Sequence, residues 1–436
     1  MRSFFNLKQN NTTVTTEIIA GISSFLATSY IIVTNPSILQ QCGMPFAGVL
    51  TATVLVCFFS SAMMGIYARN PVIVAPGMGL NAFFTFSVVL GLKVPWQVAL
   101  GAVFWSGIVF LILSAFNIRT YILRAIPTPL RYAIAAGIGL FITLIGLVQA
   151  QFIVHSEGKT IIGMGAITPA LLTFLAGLLF TAICIIRNVK GAILLGIVFT
   201  TLAALPIGRI WGTPGATLIS WHGFFAAPDF SLLLQLDLVH SLSWAMVPVI
   251  FAFIFTDMFD SLSTLVGLSE AAGLLDEKGE PRHVKRALVT DAVATTLAGL
   301  VGSSPGTAYI ESAVGIEAGG RTGLTALVAA LLFLPFLFLA PLLSAVPPIA
   351  TAPALVLVGV FMMRPVVKIN WLQMDEAIPC FLAMVLIPFT YSITQGIIWG
   401  FLAFTAIKLA AGKKEAINIG LLIIDALAIV ALALEN

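Results

Sequence analysis

Charge is what this sequence has least of. Only 9% of its 436 residues are Asp, Glu, Lys or Arg, against 59% hydrophobic. Soluble domains carry nearer a quarter, and a globular chain this poor in polar residues could not cover its own surface. A water-soluble fold is thereby excluded. Cysteine is also scarce. Cys42, Cys57, Cys184 and Cys380 are scattered through apolar runs, with no C-x-x-C and no Cys/His cluster, so neither a metal site nor a disulfide is expected. The four histidines are isolated, which leaves no nucleophile–base or metal-ligand arrangement for an enzyme. A net charge of +3, with Lys and Arg in short loops, gives no basic face for nucleic acid. No cleavable signal peptide is expected. Arg2 and Lys8 precede the first apolar run, but that run carries Glu17 and Asn35-Pro36 and reads as a retained helix.

What the chain does have is apolar runs of membrane-spanning length, about 20 residues each. Fourteen spans are expected: 17–39, 46–68, 72–91, 95–116, 131–153, 167–187, 190–208, 242–270, 286–302, 304–320, 322–344, 350–367, 375–392 and 395–411, with a further apolar stretch at 417–433 whose placement is left open. With the N-terminus inside, eighteen Lys and Arg fall on inner segments, and only Lys93, Lys159 and Arg209 fall outside. That asymmetry is the positive-inside rule, and a missed or extra span would scramble it. The polar stretch 271–286 then reads as a cytoplasmic linker and 209–241 as an outer connection.

Seven spans per half invert the second half relative to the first. In inverted-repeat transporters, corresponding Gly/Pro-broken segments mark the substrate site. The third span of each half is such a segment: Pro71-Val-Ile-Val-Ala-Pro76-Gly77-Met-Gly79-Leu-Asn81-Ala-Phe-Phe84, and Gly302-Ser-Ser-Pro305-Gly306-Thr307-Ala-Tyr309-Ile-Glu311-Ser312. Gly and Pro also kink membrane helices for packing alone. Two polar breaks at matching positions favour a site. Non-helical backbone at membrane depth must be satisfied by protein or line a cavity, and half-helix N-termini present free N–H groups.

The second signal is acidic. Asp257 and Asp260 lie in the eighth span and Glu311 in the tenth. Charge at membrane depth faces the interior and marks function. Asp260 and Thr264 are four apart and share a helix face, and Asp257 and Asp260, three apart, are neighbours on it. Two such carboxylates cannot both ionise cheaply, so one is expected to hold a proton. Asp257 also suits a purely structural acceptor. Elsewhere, Asp291 is expected to pair with Arg286 or Lys285, Glu17 to cap the first span, and Glu317 to pair with Arg321, while Phe83 and Phe84 read as packing. Acids, amides and hydroxyls without Lys or Arg suit an N–H-rich ligand or a cation, and composition does not choose between a base, an amine and a metal cation.

Ala75-Pro-Gly-Met-Gly-Leu-Asn81-Ala-Phe-Phe84, Asp257-x-x-Asp260 followed by Thr264, Gly306-Thr-Ala-Tyr-Ile-Glu311-Ser, the Ala27–Pro36 stretch containing Tyr30 and Asn35, and Arg321-Thr-Gly-Leu-Thr together resemble the xanthine/uracil permease (nucleobase–cation symporter) family, in particular its adenine/guanine/hypoxanthine branch. The resemblance extends to about residue 411. It implies an all-α polytopic membrane protein of fourteen spans as two inverted repeats, 1–208 and 242–411, with 412–436 as a hydrophobic tail. Spans 1–4 and 8–11 would form a core domain, and 5–7 and 12–14 a gate domain. Spans 3 and 10 would carry short extended stretches. It further implies a purine substrate, proton coupling with no other cofactor, a homodimer, and a cytoplasmic (inner) membrane location with the N-terminus cytoplasmic. Substrate-binding residues would be Asn81, Asp260, Thr264, Thr307, Tyr309 and Glu311, with Asp257 and Asp260 coupling the proton. The branch usually has Gly where this chain has Ser263, so the preferred purine is left open. A uracil, xanthine or anion carrier on the same fold is the alternative, and a channel lacks a filter or charge ring.

Overall fold

The computed structural model describes residues 4–115, 127–155, 162–211, 223–275 and 282–435. The expectations placed on Arg2, Arg119, Arg124, Lys159 and Lys278, on the Arg209 side chain, and on 212–222 and 276–281 lie outside the described residues.

Helices fill the fourteen expected segments. Span 1 is Val14–Thr28 and Ile31–Leu39, interrupted at Ser29-Tyr30, with Pro36 inside its second piece. Span 2 is Phe46–Met63, continued as a wide turn over Met64–Ala68. Span 3 starts as strand β1, Val74–Pro76, then Met78–Ala82 and a wide π-helix Phe83–Gly91. Spans 4 to 7 are Trp96–Ala115, Thr128–Gln149, Pro169–Ile186 and Ala192–Trp211. A hairpin of β2, Ile153–His155, and β3, Ile162–Met164, follows span 5. Spans 8 and 9 are Val247–Ala272 and Val284–Val301. Span 10 is strand β4, Gly306–Ala308, a short turn Ile310–Ser312 and Ala313–Glu317. Span 11 begins with Gly323–Phe333. Spans 12 to 14 are Pro348–Met362, Met374–Thr390 and Ile393–Ala410.

Contacts sort the spans into two bodies. Span 1 packs on 11 and 2, span 9 on 4 and 2, and span 8 on 4. Span 5 packs on 12 and 13, span 6 on 7 and 12, and span 13 on 14. Fourteen crossings would place the loop contacts on two faces. On one face Arg282 bonds Asn10 and the Arg321 carbonyl, and Asp375 pairs with Lys408 at 2.6 Å and Lys413 at 2.8 Å. On the other the Asp237 amide donates to the Gln97 carbonyl, Leu234 to Leu300 and Ala226 to Phe338. Core body helices approach at backbone level where spans 2 and 11 cross: a Cβ on Gly65 or Gly323 would collide with the other's backbone, as small residues at membrane helix crossings allow.

The tail forms the helix Ile419–Glu435, long enough at about 1.5 Å per residue to cross most of the hydrocarbon layer. It packs on spans 14 and 8. Ala428 and Leu432 meet Ile398 and Leu402 near the start of span 14, whereas the tail itself begins beyond that span's end. The tail therefore runs antiparallel to span 14.

Three expected pairings are corrected. Thr13 caps span 1. Glu17, fully buried, instead accepts from the amides of Arg321, Thr322 and Thr325 and from the Thr325 hydroxyl. It caps span 11, where unpaired helix N–H groups and the dipole both favour an anion. Arg321 does not pair with Glu317: its guanidinium donates to the carbonyls of Ile316 and Gly320, at the end of the span 10 half-helix. Asp291 meets neither Arg286 nor Lys285. It is 0% exposed, and neither carboxylate oxygen has a hydrogen-bond partner, because its helix turns it into the joint between spans 8 and 9.

Candidate functional site

The two broken spans meet as an antiparallel strand pair, with Val74 opposite Ala308, Ala75 opposite Thr307 and Pro76 opposite Gly306. The Gly77 amide donates to the Pro305 carbonyl and the Tyr309 amide to the Ile73 carbonyl, both at 2.9 Å. Because the strands are antiparallel, the half-helices leave in opposite directions and both N-termini face the middle. A two-stranded ribbon has two open edges, which hydrocarbon cannot satisfy. Here hydroxyls satisfy them. Ser61 accepts from the Val74 amide and donates to its carbonyl, Ser312 accepts from Ile73, Ser261 accepts from Ala308, Thr295 donates to Gly306, and Tyr309 donates to Pro76. Close packing makes room for them: a Cβ on Gly77 would stand 2.6 Å from the Thr307 methyl, and one on Gly306 would stand 2.9 Å from Ala294 Cβ.

The expected residues divide about this ribbon. Asp260 and Glu311 are both partly exposed, and each carboxylate lies within the other's electrostatic reach. Tyr30, placed by the interruption in span 1, donates 2.7 Å to Glu311 Oε1. Its ring lies 6.5 Å from that of Tyr309. Tyr309 is tied by its hydroxyl to Pro76 and so serves as a strut of the ribbon as well as an aromatic wall. Thr264 is buried one turn beyond Asp260. Asp260 and Glu311, partly exposed, thus stand beside the buried rings of Tyr309 and Tyr30, carboxylate acceptors next to aromatic rings.

Asn81, Thr307 and Asp257 lie elsewhere, in buried networks. Asn81 Oδ1 accepts from Ser304 at 2.6 Å, and Ser304 also reaches Asn35, whose amide bonds Thr53 and Ser303. That chain joins spans 1, 2, 3 and 10. Thr307 Oγ1 bonds Ser261 at 2.6 Å, on the span 8 side of the ribbon. Asp257 Oδ2 accepts from Thr295 of span 9. Asp257 and Asp260 are neighbours in sequence, yet they address opposite sides: one the span 9 joint, the other Glu311. Phe83 packs edge-on against Phe253, 4.8 Å between ring centroids.

Sequence reasoning missed the contacts of Tyr30, Ser261 and Thr295. Tyr30 stood within a recognised motif that also holds Pro36, and that was the available signal. Serine and threonine on helices gave none, since most bond their own helix.

Such a ribbon between oppositely directed half-helices, inside two packed bodies of spans, defines a membrane transporter rather than an enzyme. The comparisons agree. The model of the xanthine/uracil permeases, described as a permease family, matches residues 15–398. An adenine permease of Escherichia coli is 40% identical over 95% of this chain and 92% of its own length. A guanine/hypoxanthine permease of Bacillus subtilis is 39% identical over 95% and 96%. In fold, the chain matches the transmembrane domain of a cyanobacterial bicarbonate transporter with a TM-score of 0.64 at 17% identity, over 87% of this chain and 97% of that one. The chain belongs to the xanthine/uracil permease family. The bicarbonate transporter shares the seven-plus-seven inverted-repeat architecture, and an architecture hosts many substrates.

Proposed function

We propose that this protein imports a purine base together with a proton by alternating access. The observation that carries the reading is the pairing of Asp260 and Glu311, partly exposed beside Tyr30 and Tyr309 where the two half-helices begin. A planar heterocycle offers ring N–H donors to a carboxylate and a face to aromatic rings. An anion would meet two acids that, among the described residues, form no ion pair with Lys or Arg, so the bicarbonate-transporter fold does not carry its substrate over. Relatives named for adenine and for guanine/hypoxanthine support a purine without choosing one.

In this reading Asp260 takes a proton, which removes repulsion with Glu311. Glu311, oriented by Tyr30, accepts the ring N–H groups. The neutralised core body (spans 1–4 and 8–11) then moves past the gate body (spans 5–7 and 12–14) and releases base and proton inside. Asn81, Thr264 and Thr307 support the site from behind. The protein would act in the cytoplasmic membrane, N-terminus inside, as a homodimer. Proteoliposome uptake of adenine, guanine, hypoxanthine, xanthine and uracil, with and without an inward proton gradient, tests this. Gradient-dependent uptake of one or two purines is expected. Uptake of none, by folded and reconstituted protein, would contradict it.

A further inference from the structure

Core and gate bodies touch on the outer side of the membrane through one strained residue, Tyr391. Span 13 starts beside the inner ion pairs of Asp375 and ends at Thr390, so the turn that follows it lies outside. Span 3 ends on the same side, shortly before Gln97, whose carbonyl accepts from the Asp237 amide. Tyr391 has φ 56° and ψ 26°, in the left-handed region. Glycine ends helices this way without cost. A bulky side chain there is an outlier, and such strain persists only where the surroundings hold it, often at switch segments.

What holds Tyr391 crosses between the bodies. The Ser87 hydroxyl of span 3 donates to the Tyr391 carbonyl at 2.9 Å. The Tyr391 ring stands edge-on to Phe86 of span 3, with 6.5 Å between centroids, and to Phe141 of span 5, at 5.2 Å. Ser87 and Phe86 belong to the core body, Phe141 and Tyr391 to the gate body. Further in, Phe83 meets Phe253, and Phe255 of span 8 meets Phe401 of span 14 at 5.5 Å. All four of these rings are buried, and they fill span 8's surroundings outward of Asp260. Inward of Asp260 the helix is bare. Asp260, Ser263 and Gly267 share one stripe of span 8, three and seven residues apart. Asp260 is partly exposed, and Ser263 and Gly267 are exposed. A Cβ on Gly267 would meet no atom within 4 Å.

We propose that Tyr391 is the outer latch of the transport cycle. In this conformation the latch is shut, and the stripe from Asp260 to Gly267 is the open route inward. When the core body turns outward, Ser87 leaves the Tyr391 carbonyl and Phe86 leaves its ring, while Phe141 stays with it in the gate body. The turn is then free to leave the left-handed region. Strain of this kind and one hydrogen bond are of the same order. The strain opposes the bond that closes the latch, which keeps the two states close in free energy, as a carrier that visits both requires.

The latch rests on the alternating-access reading, but its test needs no substrate. The reporter is S263C in a C184S background, since the other three cysteines are buried. A membrane-impermeant maleimide should label S263C from the cytoplasmic side of membrane vesicles and not from the outer side. Adding S87A should shift the ratio of inward-open to outward-open molecules about fivefold toward outward, the worth of one hydrogen bond, read as slower cytoplasmic labelling. Y391A removes the ring from Phe86 and should slow labelling further. Unchanged or faster labelling in S87A would overturn the latch. So would an S263C protein that the cytoplasmic reagent does not label, or that both sides label equally. If Y391A fails to fold, S87A, smaller by one oxygen, decides alone. A wild-type protein that carries no base would refute the reading of function, while the labelling still decides the latch.

Discussion

Among the described residues, carboxylates no more than 1% exposed occur in two places, and the two are built in opposite ways. Glu17 receives three backbone amides and a hydroxyl. Asp257 and Asp291 together receive one hydroxyl, and three of their four oxygens receive nothing. The first arrangement favours a permanent anion and fastens span 1 to the start of span 11. The second leaves buried carboxylate oxygens without fixed donors. Depth in the membrane alone does not distinguish a structural acid from a working one; the donors supplied to each oxygen do. Between these extremes stand Asp260 and Glu311, both partly exposed, with Glu311 held by the Tyr30 hydroxyl.

Substitutions can break this comparison at several points. The largest effect is expected at Glu311. Glu311→Gln keeps the shape and replaces two acceptors' charge with a neutral amide, so base affinity should fall at least about 100-fold, as loss of two charge-assisted bonds implies; titration of purified protein with radiolabelled purine measures it. Undiminished binding would move the substrate away from this carboxylate. Glu17→Ala comes next and acts on a different quantity. It strands the amides that start span 11 and should remove about 3 kcal/mol or more of stability, read as a lower unfolding temperature in detergent, while uptake per folded molecule stays within about twofold. A selective loss of transport without loss of stability would make Glu17 a working acid and collapse the contrast.

Smaller effects sharpen it. Tyr30→Phe removes the single hydroxyl on Glu311 and should weaken purine binding about fivefold to tenfold, the worth of one hydrogen bond to a charged group at the low end of its range. Ser263→Gly is expected to be smallest. The Ser263 hydroxyl turns back to the carbonyls of Phe259 and Asp260 on its own helix, so restoring the glycine usual in the branch should change the ratio of adenine to hypoxanthine uptake by only about twofold to threefold. A complete switch of preference in competition assays would show that this hydroxyl reaches the base.

The spans were legible because the bilayer imposes one dominant rule, and Arg and Lys placement checked it. The ribbon was legible too, since Pro71, Pro76 and Pro305 with their glycines cannot continue a helix. Partnerships across the fold were not. Asp257 and Asp260 look alike along one helix, and only the neighbours of that helix send one to Thr295 and the other to Glu311. Asp291 lies one turn from Arg286 in sequence, which suggested an ion pair, yet its side chain enters the packed joint. Glu17 looked like a cap for its own helix because nothing local shows that span 11 begins beside it.

The most direct test of the account is simultaneous recording of internal pH and radiolabelled purine in proteoliposomes containing the wild-type protein. The account predicts acidification of the lumen that starts with purine addition, scales with purine entry and vanishes in E311Q. Purine entry with no accompanying proton movement would contradict it.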